Sequence, residues 1–253
     1  EIGSGLVGSE MCIRDRDKLM NMYSESYINA DGITKKKLSE IAKEAWLAYP
    51  DVKYNQKIQF ISAENDNATV ITRESIKGDT SMKVDYIPGN AYVDSDAIIV
   101  YYLKKNAGEW KIYSDSIIHE TTSLKYGIAK DIKMSIDAPA RAVAGTDYTA
   151  SLRVNVPKEY LAMISINNET IKYPMDKPED AFRSIKADSV QERILKANDE
   201  NKNENAIASI GIAEAKITDS DVNIKIKGIA LLTTRVNVVK QCIERDVKED
   251  ENI

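Results

Sequence analysis

His119 is the single histidine of the chain, and two aspartates, Asp96 and Asp115, lie in the same stretch of sequence. An imidazole exchanges protons near neutral pH, so a histidine beside a carboxylate is a common general acid or base. Tyr101 and Tyr113 could donate hydrogen bonds to a substrate oxygen. Such a set of side chains would suit proton transfer in an isomerase or a hydratase.

The spacing of these residues argues against a direct pair. If the chain is extended here, Asp115 and His119 share a face, and at about 3.3 Å per residue their Cα atoms lie about 13 Å apart. A shift of the hairpin register by one residue would instead place Asp96 opposite His119. A surface or structural histidine at the end of a strand is the simpler interpretation. We therefore assign no catalytic residue, and keep His119, Asp115 and Asp96 for an enzymatic alternative only.

Residues 3–8 match the glycine pattern of dinucleotide-binding loops, G-x-G-x-x-G. That pattern needs a strand before it, and only two residues precede it. Because residues 1–16 also resemble a translated sequencing adapter, we set them aside as an artefact. The true N-terminus, with any signal peptide or lipid anchor, is then not visible. No phosphate loop, nucleophile elbow or paired-cysteine motif occurs in residues 17–253, so the sequence predicts no cofactor and no metal site.

The bulk composition narrows the class of protein. The net charge is -5, with lysine and arginine mixed among the acidic residues, so nucleic acid is not predicted as a partner. No apolar run approaches the roughly 18 residues that span a bilayer, so no transmembrane segment is predicted. Three lysines, Lys35 to Lys37, open one predicted helix. They indicate either a solvated surface turn or an anion site.

Two long strands between Tyr92 and Thr122 must position the candidate residues, with a three-residue loop at 106–108. Both faces of this hairpin are apolar along its middle, which predicts a cover on each: a helix on one, and a second domain or subunit on the other. The expected register pairs residues as follows: Lys105 with Glu109, Tyr102 with Ile112, Tyr101 with Tyr113, Ser95 with His119 and Asp94 with Glu120.

The preceding elements complete an α+β unit. A helix is predicted to end near Asn29, and a second one is capped by Thr34 and stopped by Pro50. Strands are predicted at 52–60 and 68–77, and residues 78–90 read as a mobile loop.

This order of elements, with Gly108-Glu109-Trp110-Lys111-Ile112, resembles the nuclear transport factor 2-like (cystatin-like, SnoaL-like) superfamily over residues 17–127. The resemblance implies a curved antiparallel sheet wrapped around a helix as a cone, with a pocket at its open end. It also implies dimerisation through the outer face of the sheet. The residues offered for the pocket lining are Trp46, Tyr54, Tyr102 and Trp110. Related enzymes include ketosteroid isomerases, but none of their catalytic residues can be matched here. Whether the cone is open or filled by its own side chains stays undecided.

Residues 128–240 alternate apolar and polar residues in short runs separated by turn signals. They predict an all-β sandwich of immunoglobulin-like type, with one helical turn at 179–182 and a break of the last strand at Gly228. The charged residues 241–253 read as a disordered tail. The sequence thus favours a non-enzymatic binding or interaction protein, exported to the bacterial cell envelope or periplasm. Its expected partner is a small apolar ligand, another protein or a second copy. The alternative is an isomerase or hydratase that uses a pocket carboxylate with His119.

Overall fold

The computed structural model describes residues 14–173, 181–185, 190–217 and 222–241. Within these ranges no helix is long and apolar enough to cross a bilayer. In chain order the elements are α1 (Arg16–Asn21), α2 (Lys35–Ala48), β1 (Lys53–Glu64), β2 (Asn67–Val84), β3 (Ile87–Asn106), β4 (Glu109–Gly127), a 3-10 helix (Ile128–Lys130), β5 (Met134–Asp137), β6 (Arg141–Val143), β7 (Asp147–Val154), β8 (Leu161–Thr170), β9 (Arg183–Ile185), β10 (Val190–Lys196), β11 (Glu204–Ile217) and β12 (Val222–Val239).

One mostly antiparallel sheet runs through the molecule in the order β1-β2-β3-β4-β12-β11-β8-β9, and β6 pairs with β12 in parallel. Strand β12 joins β4 from the pair Gly228–Gly127 to the pair Thr234–Thr121. The backbone hydrogen bonds of this junction therefore connect strands from both sides of residue 127. The division of the chain into domains 17–127 and 128–240 stays a prediction.

Strands β1 to β4 carry the two helices on one face, which we call the inner face. Apolar side chains of α1, α2 and the segment between them pack there on the strands. The buried members of this core are Leu19, Tyr23, Tyr27, Ala42, Ala68, Val70, Tyr101, Leu103 and Ile112. The opposite face of β1 to β4 is the outer face.

The second half of the chain forms two layers. A three-stranded sheet, β10-β7-β5, contributes to a core shared with β8, β11 and β12. The alternating apolar residues of β7, such as Ala150, Leu152 and Val154, are fully buried there. Two facing sheets agree with the predicted strands, while the immunoglobulin-like type stays a prediction. The tail from residue 242 and part of the predicted turn at 179–182 lie outside the described residues.

The last strand is continuous, contrary to the predicted break at Gly228. Strand β12 runs through this glycine with one extra residue, Lys227, bulged out between the pairs Ile212–Gly228 and Ala213–Ile226. A Cβ at Gly228 would lie 2.6 Å from the backbone nitrogen of Ala129. The glycine therefore serves close packing against the 3-10 helix rather than strand termination.

The structure confirms the N-cap and the end that the sequence predicts for helix α2. The hydroxyl of Thr34 accepts a hydrogen bond from the Lys37 amide at 3.4 Å, and the helix ends at Ala48, just before Pro50. The first helix is shorter than predicted and begins at Arg16, with Asp15 as its N-cap. Residues 14–16, which the adapter hypothesis set aside, thus belong to the described fold.

The register predicted for the β3–β4 hairpin is wrong. Its loop has two residues, Ala107 and Gly108, both with positive φ, and Asn106 pairs with Glu109. Positive φ is uncommon for alanine, so the composition of the loop favoured a longer turn. Two bulges, at Tyr113 and Ile118, shift the register further. The observed pairs that replace the predicted ones are Leu103–Ile112, Tyr101–Asp115, Tyr102–Ser114, Ile98–His119, Ala97–Glu120 and Asp94–Ser123.

Residues 78–90, predicted as a mobile loop, are instead the ends of β2 and β3 joined by a short turn. Two side chains of this range are buried: Thr80 is 1% exposed and Ile87 is 3% exposed, and the next residue, Ala91, is fully buried. Ile87 and Ala91 pack with Tyr126 in a small cluster. Because the burial comes from β4, which is distant in sequence, the local polar composition concealed it.

Candidate functional site

A buried carboxylate, Glu74, lies on the inner face of β2 and accepts hydrogen bonds from four side chains. The donors are Thr72 Oγ1 at 2.7 Å, Tyr101 Oη at 2.8 Å, Gln56 Nε2 at 2.8 Å and Tyr54 Oη. A carboxylate offers about four acceptor positions. Three of these hydrogen bonds go to Oε1 and one, from Tyr54, goes to Oε2. The described residues thus hold Glu74 with neutral donors and place no cation within ion-pair distance of it.

A second carboxylate, Asp115, is buried on the inner face of β4. Tyr27 Oη donates to its Oδ2 at 2.5 Å, and the ring of Tyr23 packs edge-on against Tyr27 with centroids 4.8 Å apart. Burial raises the pKa of Asp115, and the charges of Asp31 and Glu74 raise it further, while the Tyr27 hydrogen bond lowers it. Asp115 is therefore more easily protonated than an exposed aspartate.

The tyrosines around these carboxylates remain protonated at physiological pH. Burial, followed by the charge of Glu74, raises the pKa of Tyr101 well above its ordinary value. Burial and the neighbouring carboxylates likewise raise the pKa of Tyr23 and of Tyr27. Tyr27 and Tyr101 thus keep the protons with which they donate to Asp115 and Glu74.

The structure does not assemble the acid–base set considered from the sequence. Asp115 and Tyr101 face inward, but His119 pairs with Ile98 on the outer face, because the Ile118 bulge reverses the alternation between residues 115 and 119. Asp96 also lies on the outer face, where Arg73 Nε donates to its two carboxylate oxygens at 3.0 and 2.9 Å. The structure therefore does not bring His119 and Asp115 together on one face of the sheet.

The four residues offered for a ligand pocket lie in three places. Trp46 and Tyr54 line one cavity of about 450 Å³ between the end of α2 and β1. Tyr102 is 36% exposed on the outer face, and Trp110 lies at the start of β4, 6.0 Å from Lys105 Nζ. Trp46 Nε1 is buried and has no hydrogen-bond partner among the described residues.

Sequence reasoning missed Glu74, since a glutamate within a strand usually indicates a solvent-facing position. A signal was present, however. Val70, Thr72 and Glu74 occupy alternate positions and so share the face of a buried valine. Tyrosines on neighbouring strands supply the donors that such a buried carboxylate needs.

A buried ion pair links the α1–α2 segment to β12. Arg235 Nη2 lies 2.6 Å from Asp31 Oδ1, and the two side chains are only 1% and 5% exposed. Asn203 Nδ2 also donates to Asp31 at 2.8 Å, and Arg235 Nε donates to Asn237 Oδ1 at 2.9 Å. Charge pairing and hydrogen bonds together satisfy both buried ions.

The outer face of β1 to β4 leaves apolar side chains exposed. Phe60 is 53% exposed, and Tyr102 and Ile118 are each 36% exposed. Cross-strand ion pairs lie on the same face, Arg73 with Asp96 at 2.9 Å and Lys77 with Asp94 at 3.0 Å. The expected second cover of this face does not come from the described part of the chain.

Comparisons with known proteins match less than half of the chain. Residues 13–124 match the family model of the anti-sigma-I factor RsgI9 C-terminal domain, which is less than half of the chain. No curated protein matches the sequence. Bd1075 of Bdellovibrio bacteriovorus is similar at 16% identity and a TM-score of 0.36, over 44% of this chain and 36% of Bd1075. A type 2 hexachlorocyclohexane dehydrochlorinase (LinA) is similar at 16% identity and a TM-score of 0.33, over 44% of this chain and 76% of that chain.

The raised pKa of Asp115 has a measurable consequence. From its ordinary value of 3.8 upward to the raised pKa, the folded state binds more protons at this site than the unfolded state, so this site's contribution to stability falls as pH rises. Asp115→Asn removes that contribution. We expect the variant to gain stability relative to the wild type as pH rises from about 4 toward neutral, measured by urea unfolding at several pH values. A difference that stays constant over this range would contradict the assignment.

Proposed function

We propose that this chain is a non-enzymatic interaction protein of the bacterial cell envelope. In this proposal, the nuclear transport factor 2-like unit at residues 17–127 binds a protein partner, and the immunoglobulin-like unit at 128–240 presents it. The observation that carries the proposal is the set of four internal side chains that donate hydrogen bonds to Glu74. A buried carboxylate that is held by four internal side chains supports the fold, which favours a structural role over a catalytic one.

The family match also supports a role in binding another protein. Anti-sigma factors act by binding other proteins, and the matched residues 13–124 include the whole of β1, β2 and β3. The envelope location rests on analogy with other proteins that carry β-sandwich units. The cavity beside Trp46 and Tyr54 is the part of the first unit that suits a small apolar ligand.

We assign the outer face of β1 to β4 to a second copy of the chain. About ten residues on each of four strands, at about 3.3 Å along and 4.8 Å between strands, give about 600 Å² per copy. The resulting total of about 1,200 Å² is at the lower end of stable protein interfaces. Basic and acidic side chains alternate across this face, as in the pairs Arg73–Asp96 and Lys77–Asp94, so the surface is self-complementary in charge.

Tyr102→Lys is expected to weaken self-association at least tenfold, because it places a charge among the exposed apolar side chains of the outer face. Sedimentation equilibrium over a range of protein concentrations measures the dissociation constant. Tyr86→Lys is the matched control, since Tyr86 is 60% exposed in the turn between β2 and β3, away from the face. A monomeric wild type at about 100 μM, or equal effects of the two changes, would overturn the dimer.

The second candidate function is an isomerase or hydratase that does not use His119. The observation that favours it is the buried Asp115, with its raised pKa and its hydrogen bond from Tyr27. Such an enzyme would have to admit its substrate to Asp115 from the inner side of the sheet.

A further inference from the structure

A second cavity, of about 730 Å³, opens at the end of the sheet where the hairpins β1–β2 and β3–β4 turn. Four lysines line it: Lys35 from α2, Lys104 and Lys105 from the end of β3, and Lys111 from β4. Glu25 is the one carboxylate among the described residues that line it. Because the whole chain carries a net charge of -5, this concentration of positive charge is local.

The positions of two of these lysines destabilise the pairing of β3 with β4. Lys104 and Lys111 are directly opposite each other across β3 and β4. Like charges at such positions destabilise a strand pair. The ammonium group of Lys111 is held by the backbone oxygen of Asn21 at 2.8 Å, a neutral acceptor that leaves its charge in place. Its acidic neighbour Glu109, at 3.0 Å, is 72% exposed.

Lys35 is held in the same manner. Its ammonium group donates to the backbone oxygen of Tyr23 at 2.9 Å and to Glu25 at 2.7 Å. The Glu25 side chain is 93% exposed, so this ion pair is largely screened by solvent. Among the described residues, neither Lys104 nor Lys105 forms an ion pair with a carboxylate. Two of the four cavity lysines, Lys104 and Lys105, therefore carry positive charge that no carboxylate in the described part of the chain pairs with.

We propose that this cavity binds a small anion with two or more negative charges, through phosphate, sulfate or carboxylate oxygens. The lysines supply charge-assisted hydrogen bonds. Hydroxyl and amide groups of Ser24, Ser26 and Asn67, which also line the cavity, supply further donors. The bound anion would offset the repulsion between Lys104 and Lys111. Lys104 lies on the same face of β3 as Tyr102, but Tyr102, Phe60 and Ile118 do not line the cavity, so anion binding does not require self-association.

Isothermal titration with pyrophosphate and with citrate, at an ionic strength held constant with sodium chloride, tests the proposal. We expect saturable binding that the double change Lys104→Gln and Lys105→Gln weakens at least tenfold. The matched control is Lys57→Gln with Lys83→Gln, which removes the same charge from exposed strand positions distant from the cavity. The control is expected to bind within twofold of the wild type. The stronger of the two probes identifies the ligand as phosphate-like or carboxylate-like.

The absence of saturable binding of either anion would overturn the site, as would an equal loss in both double variants, which indicates charge screening alone. A second readout needs no ligand. Lys104→Gln removes the repulsion toward Lys111, so the Tm of the free protein is expected to rise by roughly 1–3 °C. A fall in Tm would show that Lys104 is structural and would contradict its role in an anion site.

Discussion

Glu74→Ala is expected to lower the free energy of unfolding by about 3–5 kcal/mol, one of the two largest effects of any single change considered. The loss of the carboxylate leaves its donors without an acceptor. Thr72 and Tyr101 are 0% and 3% exposed, so water cannot readily replace the lost partner. Each buried unsatisfied donor costs about 1–3 kcal/mol. Urea unfolding followed by circular dichroism measures the change.

Two further variants separate the hydrogen-bond network from other effects of the Glu74 change. Tyr101→Phe removes one donor and is expected to cost about 1 kcal/mol. Glu64→Ala removes an exposed glutamate at the end of β1 and is expected to change stability by less than about 0.5 kcal/mol. If Glu74→Ala were as mild as Glu64→Ala, the buried carboxylate would not be part of the stabilising core.

Arg235→Met is expected to cost about 3–5 kcal/mol, because it leaves Asp31 buried without its counter-charge. The Asp31 side chain is 5% exposed, and its remaining donor in this contact is the Asn203 amide. The change should also loosen the packing of the α1–α2 segment on β12, since this ion pair joins the two. Urea unfolding measures the loss of stability.

The double variant Asp31→Asn with Arg235→Met is the control for the ion pair. Neutralising both partners removes the uncompensated charge of Asp31 and its repulsion toward Glu120, so the double variant should be more stable than Arg235→Met alone. The amide oxygen that Asp31→Asn introduces can still accept the hydrogen bond from Asn203. A coupling energy near zero in the four-variant cycle would show that the two charges do not interact.

The sequence was sufficient where local chemistry determines the structure. Helix α2 follows from the Thr34 cap, and its end follows from Pro50. Most strands of the second half follow from alternation, as in β7, where Tyr148, Ala150, Leu152 and Val154 are buried in turn. These features depend on residues within one turn or one strand.

The remaining features depend on contacts between distant residues. The bulges at Tyr113 and Ile118 leave the composition of β4 unchanged, yet they reverse which face His119 occupies. Pairing of β4 with β12 joins segments about a hundred residues apart, which no local pattern encodes. Glu74 was concealed for the same reason, since three of its four donors come from other strands.

We propose that the interior carboxylates serve the fold while the outer face of β1 to β4 carries the interaction. Sedimentation equilibrium of Glu74→Gln, beside the wild type, tests it most directly. Under conditions where both proteins are folded, we expect the dissociation constants for self-association to agree within twofold, although Glu74→Gln unfolds at a lower urea concentration. A folded Glu74→Gln protein whose self-association is weakened tenfold would contradict the claim and assign a functional role to the interior carboxylate.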